Sequence, residues 1–257
     1  MKYYVVDAFA DEVFQGNPAG VVLAPADLSP AAMQAIAAEN NLAETAFVHQ
    51  VEGGYGLRWF TPAAEVDLCG HATLASAFVL SRFVDSAATV FRFFTVSGEL
   101  SASRDGQRYI LDFPARPPQP VPVTPAMAEA LGVPVLEAHL ARDLLLVVDT
   151  ERRVRDLRPV IAQVATLAEF GVVVTAPGER VDFVSRFFAP NVGVAEDPVT
   201  GSSHTELAPY WAARLGRSRL VARQVSRRGG GLTCVLAGDR VMIAGSAQLY
   251  LSGDILV

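Results

Sequence analysis

The chain contains an internal repeat, which constrains its fold more than any other feature of the sequence. The segment Arg58-Trp59-Phe60-Thr61-Pro62 returns about halfway along the 257-residue chain as Arg186-Phe187-Phe188-Ala189-Pro190. Each copy precedes a polar turn that contains glycine, Asp67–Thr73 in the first half and Glu196–His204 in the second. The two copies of this segment lie too far apart in the chain to be successive repeats of a solenoid protein. The repeat therefore predicts two related lobes, each offering one polar turn, with a site between them.

The composition excludes several classes of partner. Hydrophobic residues make up 51% of the chain, enough to bury one large core or two modest ones. The net charge is −6, and the arginine pairs at 152–153 and 227–228 are too small for a nucleic-acid surface. No apolar run approaches the roughly 18 residues of a membrane span, and the N-terminus lacks the tracts of a signal peptide. Two distant cysteines form no disulfide framework. We therefore expect a cytoplasmic protein that binds neither nucleic acid nor membrane.

Short strands and a few helices follow one another irregularly, which predicts an α+β fold rather than a regular βαβ alternation. Ser29-Pro30 is typical of a helix start, and the run from Gly70 to Leu80 is apolar on every side, as in a helix that is buried all round. The density of prolines between Pro114 and Pro125 predicts a linker. The lobes are accordingly expected at residues 1–115 and 116–245.

Both polar turns precede a predicted helix. Gly70 and His71 open the first helix, and Thr200, Gly201 and Ser202 open the second. Helix N-termini expose unpaired N–H groups at the positive end of the helix dipole, so each can hold a carboxylate. Ordinary capping explains either turn alone, whereas their recurrence at repeated positions favours binding. Ser202 lacks a Gly-x-Ser-x-Gly context and is predicted to be a hydrogen-bond donor rather than a nucleophile.

Glu44 is the strongest candidate for a proton-transfer group. Alternation in the predicted strand Leu42–Val48 places Glu44 on an otherwise apolar face. A carboxylate there is costly unless it is paired or functional, and burial favours its protonated form. A surface edge strand is the alternative explanation. His71 is either an acid–base group at the helix mouth or a core histidine, and Asp197 is either a site residue or a turn residue.

No motif supports a cofactor or a metal. The sequence contains neither Gly-x-Gly-x-x-Gly nor a phosphate loop ending in Gly-Lys-Ser/Thr. The four histidines show no metal-ligand spacing, and Cys69-Gly70-His71 by itself is a weak signal. We therefore expect no cofactor and no metal.

Together these motifs resemble the PhzF-like family of phenazine-biosynthesis proteins, within the larger superfamily of diaminopimelate epimerases and proline racemases. The resemblance runs nearly end to end, and the last matching segment resembles the closing strand of the family, so residues 246–257 are expected to complete the first lobe. The matching segments are Val6–Phe9, Gly16–Gly20, Asn41–Phe47, Arg58–Pro62, Cys69–Thr73, Glu196–Ser202 and Gly245–Leu251.

The resemblance implies two pseudo-symmetric lobes, each a mixed β-barrel-like sheet around a central helix, with the active site in the cleft. It implies a homodimer and an isomerase that needs no cofactor, as in the family enzyme that isomerises trans-2,3-dihydro-3-hydroxyanthranilate. Glu44 would shift a proton on a small cyclic carboxylate or amino acid, while His71 and Asp197 hold or polarise this substrate. The implied substrate-binding positions are Gly70, Ala72, Thr200, Gly201 and Ser202.

One departure from the wider superfamily limits the chemistry. The epimerases and racemases use two cysteines, one in each lobe, whereas this chain has Cys69 in the first turn and no thiol in the second. A two-thiol racemase is therefore disfavoured. A one-base amino-acid epimerase or racemase is one alternative, and a binding protein without catalysis on the same scaffold is another. The substrate, a role in phenazine synthesis and any part played by Cys69 stay open, since fold does not determine function.

Overall fold

The computed structural model describes all 257 residues, and the chain divides into two compact units. Met1–Asp112 and Ala244–Val257 form the first unit, and Phe113–Ile243 forms the second. The C-terminal segment therefore belongs to the same unit as the N-terminus. None of the helices combines the length and the apolar character that a membrane crossing needs.

The first unit contains two helices, α1 (Pro30–Asn40) and α2 (Gly70–Phe83). Its strands are β1 (Lys2–Ala8), β2 (Asn17–Leu23), β3 (Glu44–Val51), β4 (Gly54–Phe60), β5 (Glu65–Val66), β6 (Val90–Thr95), β7 (Gly98–Asp105), β8 (Arg108–Pro114) and the later part of β17 (Arg240–Asp254).

Eight strands of the first unit close into a barrel. The ladders run in the order β1, β2, β3, β4, β6, β7, β8 and β17, and β17 pairs with β1. The β2–β3 and β4–β6 pairs are parallel, so the sheet is mixed. Every residue of α2 from His71 to Ser81 is buried, and this helix packs against β1, β2, β3 and β7. The prediction of a helix that is buried all round is confirmed.

The second unit contains four α-helices and one short 3₁₀ helix at Pro190–Val192. The α-helices are α3 (Pro125–Leu131), α4 (Glu151–Asp156), α5 (Ile161–Val164) and α6 (His204–Leu215). The strands are β9 (Gln119–Val121), β10 (Glu137–Leu140), β11 (Leu144–Val147), β12 (Val172–Pro177), β13 (Phe183–Ala189), β14 (Val194–Asp197), β15 (Arg219–Gln224) and β16 (Gly230–Ala237), followed by the start of β17.

The second unit repeats the pairing order of the first. The antiparallel pair β10–β11 is followed by parallel β11–β12, antiparallel β12–β13 and β13–β14, parallel β13–β15 and antiparallel β15–β16. The same sequence of pairings runs from β1 to β7 in the first unit. Gly106 and Gly238 then form equivalent hairpin turns, both with positive φ, at 59° and 63°. The predicted α+β fold with two related lobes is confirmed.

Helix α1 follows from its local sequence. The Ser29 hydroxyl caps the helix by accepting the N–H of Ala32 at 3.2 Å, and Pro30 stands at the first helical position. The helix ends at Asn41, which adopts the left-handed conformation. The apolar face of α1 packs into the core through three buried residues, Met33, Ile36 and Ala37.

Two sequence predictions need correction. Helix α6 begins at His204 rather than at Ser202, because residues 201–203 form tight turns in which the N–H of His204 donates to the carbonyl of Gly201. The proline-rich stretch 114–125 is more than a linker, because it contains β9, which pairs with β10. Proline is tolerated in such a short strand where the ladder does not need its missing N–H.

Candidate active site

The first unit brings Glu44 and His71 together in its buried interior. Glu44 is the first residue of β3, and His71 lies in the first turn of α2. Glu44 Oε2 lies 3.1 Å from His71 Nε2, with side-chain exposures of 19% and 7%. Neither atom has another hydrogen-bond partner in the structure. The carboxylate and the imidazole are therefore each other's main polar neighbour.

Two further side chains contact the opposite nitrogen of the imidazole. The Asn17 amide lies 3.3 Å from His71 Nδ1, and Cys69 Sγ lies 3.6 Å from the same nitrogen. Asn17 is the first residue of β2, and Cys69 is the N-cap of α2. The four residues form a buried polar chain that runs from Cys69 and Asn17 through the imidazole to Glu44.

This cluster favours a carboxylate beside an imidazolium. Burial raises the pKa of Glu44, but the charge and hydrogen bond of His71 and a hydrogen bond from Cys69 outweigh it, so the net pKa lies below its usual value. Burial lowers the pKa of His71, whereas the charge of the Glu44 carboxylate and the hydrogen bonds to Cys69 and Glu44 raise it, and the net pKa lies well above its usual value. Burial and the Glu44 carboxylate raise the pKa of the Cys69 thiol. Near neutral pH, Glu44 is therefore a base, His71 an acid and Cys69 a neutral thiol.

The sequence prediction that burial favours the protonated form of Glu44 gives the direction of the burial effect, but the pairing with His71 outweighs it and the net pKa is lowered. That prediction considered Glu44 with its apolar strand neighbours only, whereas His71 comes from a helix that lies far along the chain. A protonated His71 donates from both ring nitrogens, so the Asn17 amide then accepts through its oxygen. This requires only the amide rotation that exchanges oxygen and nitrogen.

The second unit holds the other predicted polar residues. The Thr200 hydroxyl donates a hydrogen bond to the Asp197 carboxylate. The Thr200 N–H donates to Gln224 Oε1 at 2.9 Å, and the Gln224 amide donates to the Asp197 carbonyl at 2.8 Å. Thr200 is buried and Asp197 is half-buried. The turn before α6 is thus held in one conformation by a strand residue, Gln224 of β15.

The residues that follow Thr200 have mainly structural contacts. Gly201 is buried and Ser202 is half-buried, and the carbonyl of Ser202 accepts the Thr205 hydroxyl at 2.7 Å. The His204 ring contacts the Thr200 carbonyl through Nδ1 at 2.8 Å. Burial lowers the pKa of His204 to about 4, so the ring is neutral and Nδ1 is the donor. His204 therefore supports the turn and is not an acid–base group at neutral pH.

Asn17 and Gln224 were not predicted to be site residues. The sequence Gly16-Asn17-Pro18 indicates a turn, and nothing in it shows that the amide reaches the imidazole of His71. Gln224 lies 24 residues beyond Thr200 and comes close only through the pairing of its strand. Of the predicted residues, the structure brings Glu44, Gly70, His71 and Ala72 together in the first unit, and Asp197, Thr200, Gly201 and Ser202 together in the second.

Comparison with known proteins identifies the family. Residues 6–253 match the family model described as phenazine biosynthesis-like protein, PhzC-PhzF. The chain belongs to the phenazine biosynthesis-like protein family. It is 54% identical to an uncharacterized isomerase of Pseudomonas aeruginosa over 255 residues, which covers 99% of this chain and 98% of the relative. Membership predicted from the motifs is therefore confirmed.

Solved structures show that other members of the phenazine biosynthesis-like family share this fold. A PhzF family protein of Enterococcus faecalis superposes with a TM-score of 0.98 at 47% identity, covering 100% of this chain and 99% of the other. A probable proline racemase from Agrobacterium radiobacter has the same fold at 10% identity and a TM-score of 0.66, covering 100% and 93% of the two chains. The names of the curated relatives confirm the prediction of an isomerase at the level of enzyme class.

Proposed function

We propose that this chain is an isomerase that moves a proton between two positions of a small cyclic carboxylate or amino acid without a cofactor. The observation that carries this proposal is the buried pair of Glu44 and His71, 3.1 Å apart, with a carboxylate pKa below and an imidazole pKa well above their usual values. A base and an acid are thus in contact at one buried place.

In the proposed reaction, Glu44 removes a proton from an activated carbon and returns it at another position of the same substrate. The carboxylate is ready to accept a proton near neutral pH, and its 19% exposed side chain allows a substrate to approach. Once protonated, the same group is the acid for the second transfer. General acid–base steps of this kind contribute roughly 10² to 10⁴ each to the rate.

His71 has two proposed tasks. Its imidazolium holds Glu44 in place through the 3.1 Å contact, and it stabilises negative charge that develops on the substrate. The first turn of α2 supplies the backbone N–H groups of Gly70, His71 and Ala72, and the N-terminus of a buried helix suits a substrate carboxylate. The predicted catalytic role of Asp197 and the predicted substrate-binding roles of Thr200, Gly201 and Ser202 stay predictions, as do the homodimer and the cytoplasmic location.

A one-base epimerase or racemase is the second candidate. It is favoured by Cys69, whose sulfur lies 3.6 Å from the His71 imidazole and within 4.8 Å of a Glu44 carboxylate oxygen. A thiol beside the base pair is a second group that exchanges protons with the carboxylate. Inversion at the α-carbon with uptake of solvent deuterium distinguishes this reaction from a shift between two carbons.

The test is NMR of the purified protein in D₂O with a panel of small cyclic and acyclic amino acids, including dihydro-hydroxyanthranilate. We expect deuterium uptake or double-bond migration that Glu44→Gln abolishes and that Glu52→Gln retains. Glu52 is an exposed carboxylate in the turn after β3 and is the matched control. Full turnover by Glu44→Gln would refute the proposal, and binding shifts without exchange across the panel would favour a protein that binds without catalysis.

A further inference from the structure

Cys69, His71 and Glu44 also form a compact set of metal ligands. Each residue offers one ligand atom, and these three atoms lie within 4.8 Å of one another. Thiolate sulfur, imidazole nitrogen and carboxylate oxygen are the ligand types of protein Zn²⁺ sites. We propose that these three residues bind one thiophilic divalent cation, and that Zn²⁺ fits best. The metal site uses the side chains of the proposed reaction, but its occupancy can be measured without a substrate.

Coordination of one ion through His71 Nε2 needs little movement of Glu44 but a movement of the Cys69 sulfur. Tetrahedral Zn²⁺ bonds of about 2.3 Å to sulfur and about 2.0 to 2.2 Å to nitrogen and oxygen place neighbouring ligand atoms roughly 3.3 to 3.6 Å apart. Glu44 Oε2 and His71 Nε2 are already 3.1 Å apart, and Cys69 Sγ is 3.6 Å from the other ring nitrogen. Cys69 Sγ contacts Nδ1, so the cysteine side chain at the N-cap of α2 must rotate to bring its sulfur from within 4.8 Å to the distance of a ligand.

The Asn17 amide determines which ring nitrogen takes the ion. It lies 3.3 Å from Nδ1, whereas Nε2 faces Glu44. Coordination through Nε2 therefore leaves Nδ1 hydrogen-bonded to the amide. A ligating histidine whose second nitrogen is held by a carbonyl or carboxylate is the common arrangement at protein metal sites, because it fixes the orientation of the ring.

The charge and access of the site also suit such an ion. One thiolate and one carboxylate neutralise a divalent cation, which is favourable in a buried place where a net charge is costly. Three protein ligands leave one position of the tetrahedron for water. Cys69 and His71 are buried, and the partly exposed Glu44 provides the route by which a small cation enters.

Metal binding and proton transfer exclude each other at this site. An oxygen of Glu44 that coordinates Zn²⁺ no longer accepts a proton from a carbon, and the neutral coordinated imidazole no longer carries the imidazolium proton. The cation is therefore an inhibitor of the proposed isomerase rather than its cofactor. Its binding is measurable without a substrate, so failure of one proposal leaves the other intact.

The experiment is an anaerobic titration of the untagged full chain with Co²⁺, followed by ultraviolet and visible absorption. We expect one equivalent to produce a thiolate-to-cobalt charge-transfer band, and one equivalent of Zn²⁺ to remove it. Cys69→Ser should abolish this band. Cys234→Ser is the matched control, because Cys234 is the other buried cysteine and lies in β16, and the variant should keep the band. Glu44→Gln should weaken Co²⁺ binding by at least about tenfold.

The absence of a charge-transfer band in the wild-type chain, or its persistence in Cys69→Ser, would overturn the proposal. Circular dichroism establishes that each variant is folded. X-ray absorption at the zinc edge of the wild-type chain loaded with one equivalent of Zn²⁺ gives an independent result that needs no variant. One sulfur among the ligands supports the proposal, and a shell without sulfur refutes it.

Discussion

The two units repeat one order of strand pairings, yet they differ at the position of the candidate base. In the first unit Phe60 pairs with Thr45, the residue after Glu44, whereas in the second unit the repeated residue Phe188 pairs with Val172. The residue equivalent to Glu44 is therefore Gly171. A Cβ at Gly171 would lie 2.5 Å from the Phe187 ring and 2.8 Å from Asp143 Oδ1. The first unit has a carboxylate at this place, and the second has no room for a side chain.

The second unit instead buries two carboxylates beside that glycine. Glu206 of α6 accepts the backbone N–H groups of Arg142 and Asp143 at 3.1 and 3.2 Å. Neither oxygen of Asp143 has a hydrogen-bond partner in the structure. Burial raises the pKa of Asp143 to about 6, and burial together with Asp143 raises that of Glu206 to about 7. In the first unit His71 lowers the pKa of the Glu44 carboxylate. In the second unit no histidine offsets the effect of burial, which raises the pKa values of Asp143 and Glu206.

The largest effect on activity is expected from a substitution of Glu44, whose equivalent in the second unit is a glycine. Glu44→Gln should lower kcat by roughly 10² to 10⁴, because it removes the proton acceptor while keeping the size of the side chain. Asp197→Asn should cost about tenfold or less, since an amide oxygen still accepts the Thr200 hydroxyl. Steady-state kinetics on a substrate found in the D₂O panel gives both values. A larger loss in Asp197→Asn than in Glu44→Gln would contradict the assignment of the base to the first unit.

Each unit also contains an equivalent ion pair between an arginine and a glutamate. Arg58 binds Glu65 through two hydrogen bonds of 2.7 and 2.8 Å, and Arg186 binds Glu196 through two of 2.6 and 2.8 Å. The Arg58 side chain is 27% exposed and that of Arg186 is 10% exposed. Arg186 also donates to the carbonyl of Leu157 at 2.9 Å.

The two arginines should therefore contribute differently to the free energy of unfolding, because Arg186 is more buried than Arg58. Arg186→Ala should lower the free energy of unfolding by roughly 2 to 4 kcal/mol, because it leaves a carboxylate and a carbonyl without their donor. Arg58→Ala should cost about 1 kcal/mol or less, as exposed pairs do. Urea unfolding of both variants measures the difference, and equal losses would show that the burial of the pair has no energetic consequence.

The lack of space for a side chain at Gly171 predicts that Gly171→Ala also destabilises the chain, by less than Arg186→Ala does. Gly171→Ala should destabilise the chain by roughly 1 to 3 kcal/mol, because the methyl group overlaps the Phe187 ring and the Asp143 carboxylate. Gly253→Ala is the matched control, since its Cβ meets only a leucine methyl group at 3.9 Å. Denaturant unfolding of both variants is the measurement. An unchanged midpoint for Gly171→Ala would show that the second unit does have room at this position.

The buried carboxylates of the second unit predict a pH dependence of stability. A folded-state pKa raised from 4.5 to about 7 at Glu206 means that the unfolded chain loses this proton first. The free energy of unfolding should therefore fall as pH rises from about 4.5 to 7, by on the order of 2 kcal/mol. Glu206→Gln should flatten this dependence while keeping the acceptor for both N–H groups.

Thermal unfolding from pH 5 to pH 8 measures this dependence. Glu129→Gln, which removes an exposed carboxylate on α3, is the control and should leave the pH profile as in the wild-type chain. A Glu206→Gln variant that loses as much stability between pH 5 and pH 8 as the wild-type chain would show that Glu206 is not the titrating group.

Much of the fold was predictable from local sequence. Ser29-Pro30 predicted the start of α1, and the apolar run after Gly70 predicted a helix that is buried all round. The repeated Arg-x-Phe segments lie in equivalent strands, β4 and β13, because a repeated pattern of apolar residues makes the same strand pairings favourable twice. The start of α6 was not predictable to the residue, since capping by Ser202 or Ser203 is equally compatible with the local sequence.

The sequence by itself determined the two related units through its internal repeat and the family through the resemblance of its motifs. It also singled out Glu44 as the candidate base, because strand alternation is a local property of the chain. Only the tertiary structure decided the ionisation of Glu44, because His71 reaches it from a helix and outweighs the cost of burial. The same holds for Asn17 on the imidazole and for the closeness of Cys69 to the carboxylate. A pKa and a set of metal ligands depend on distances between strands and helices, and a single sequence does not contain those distances.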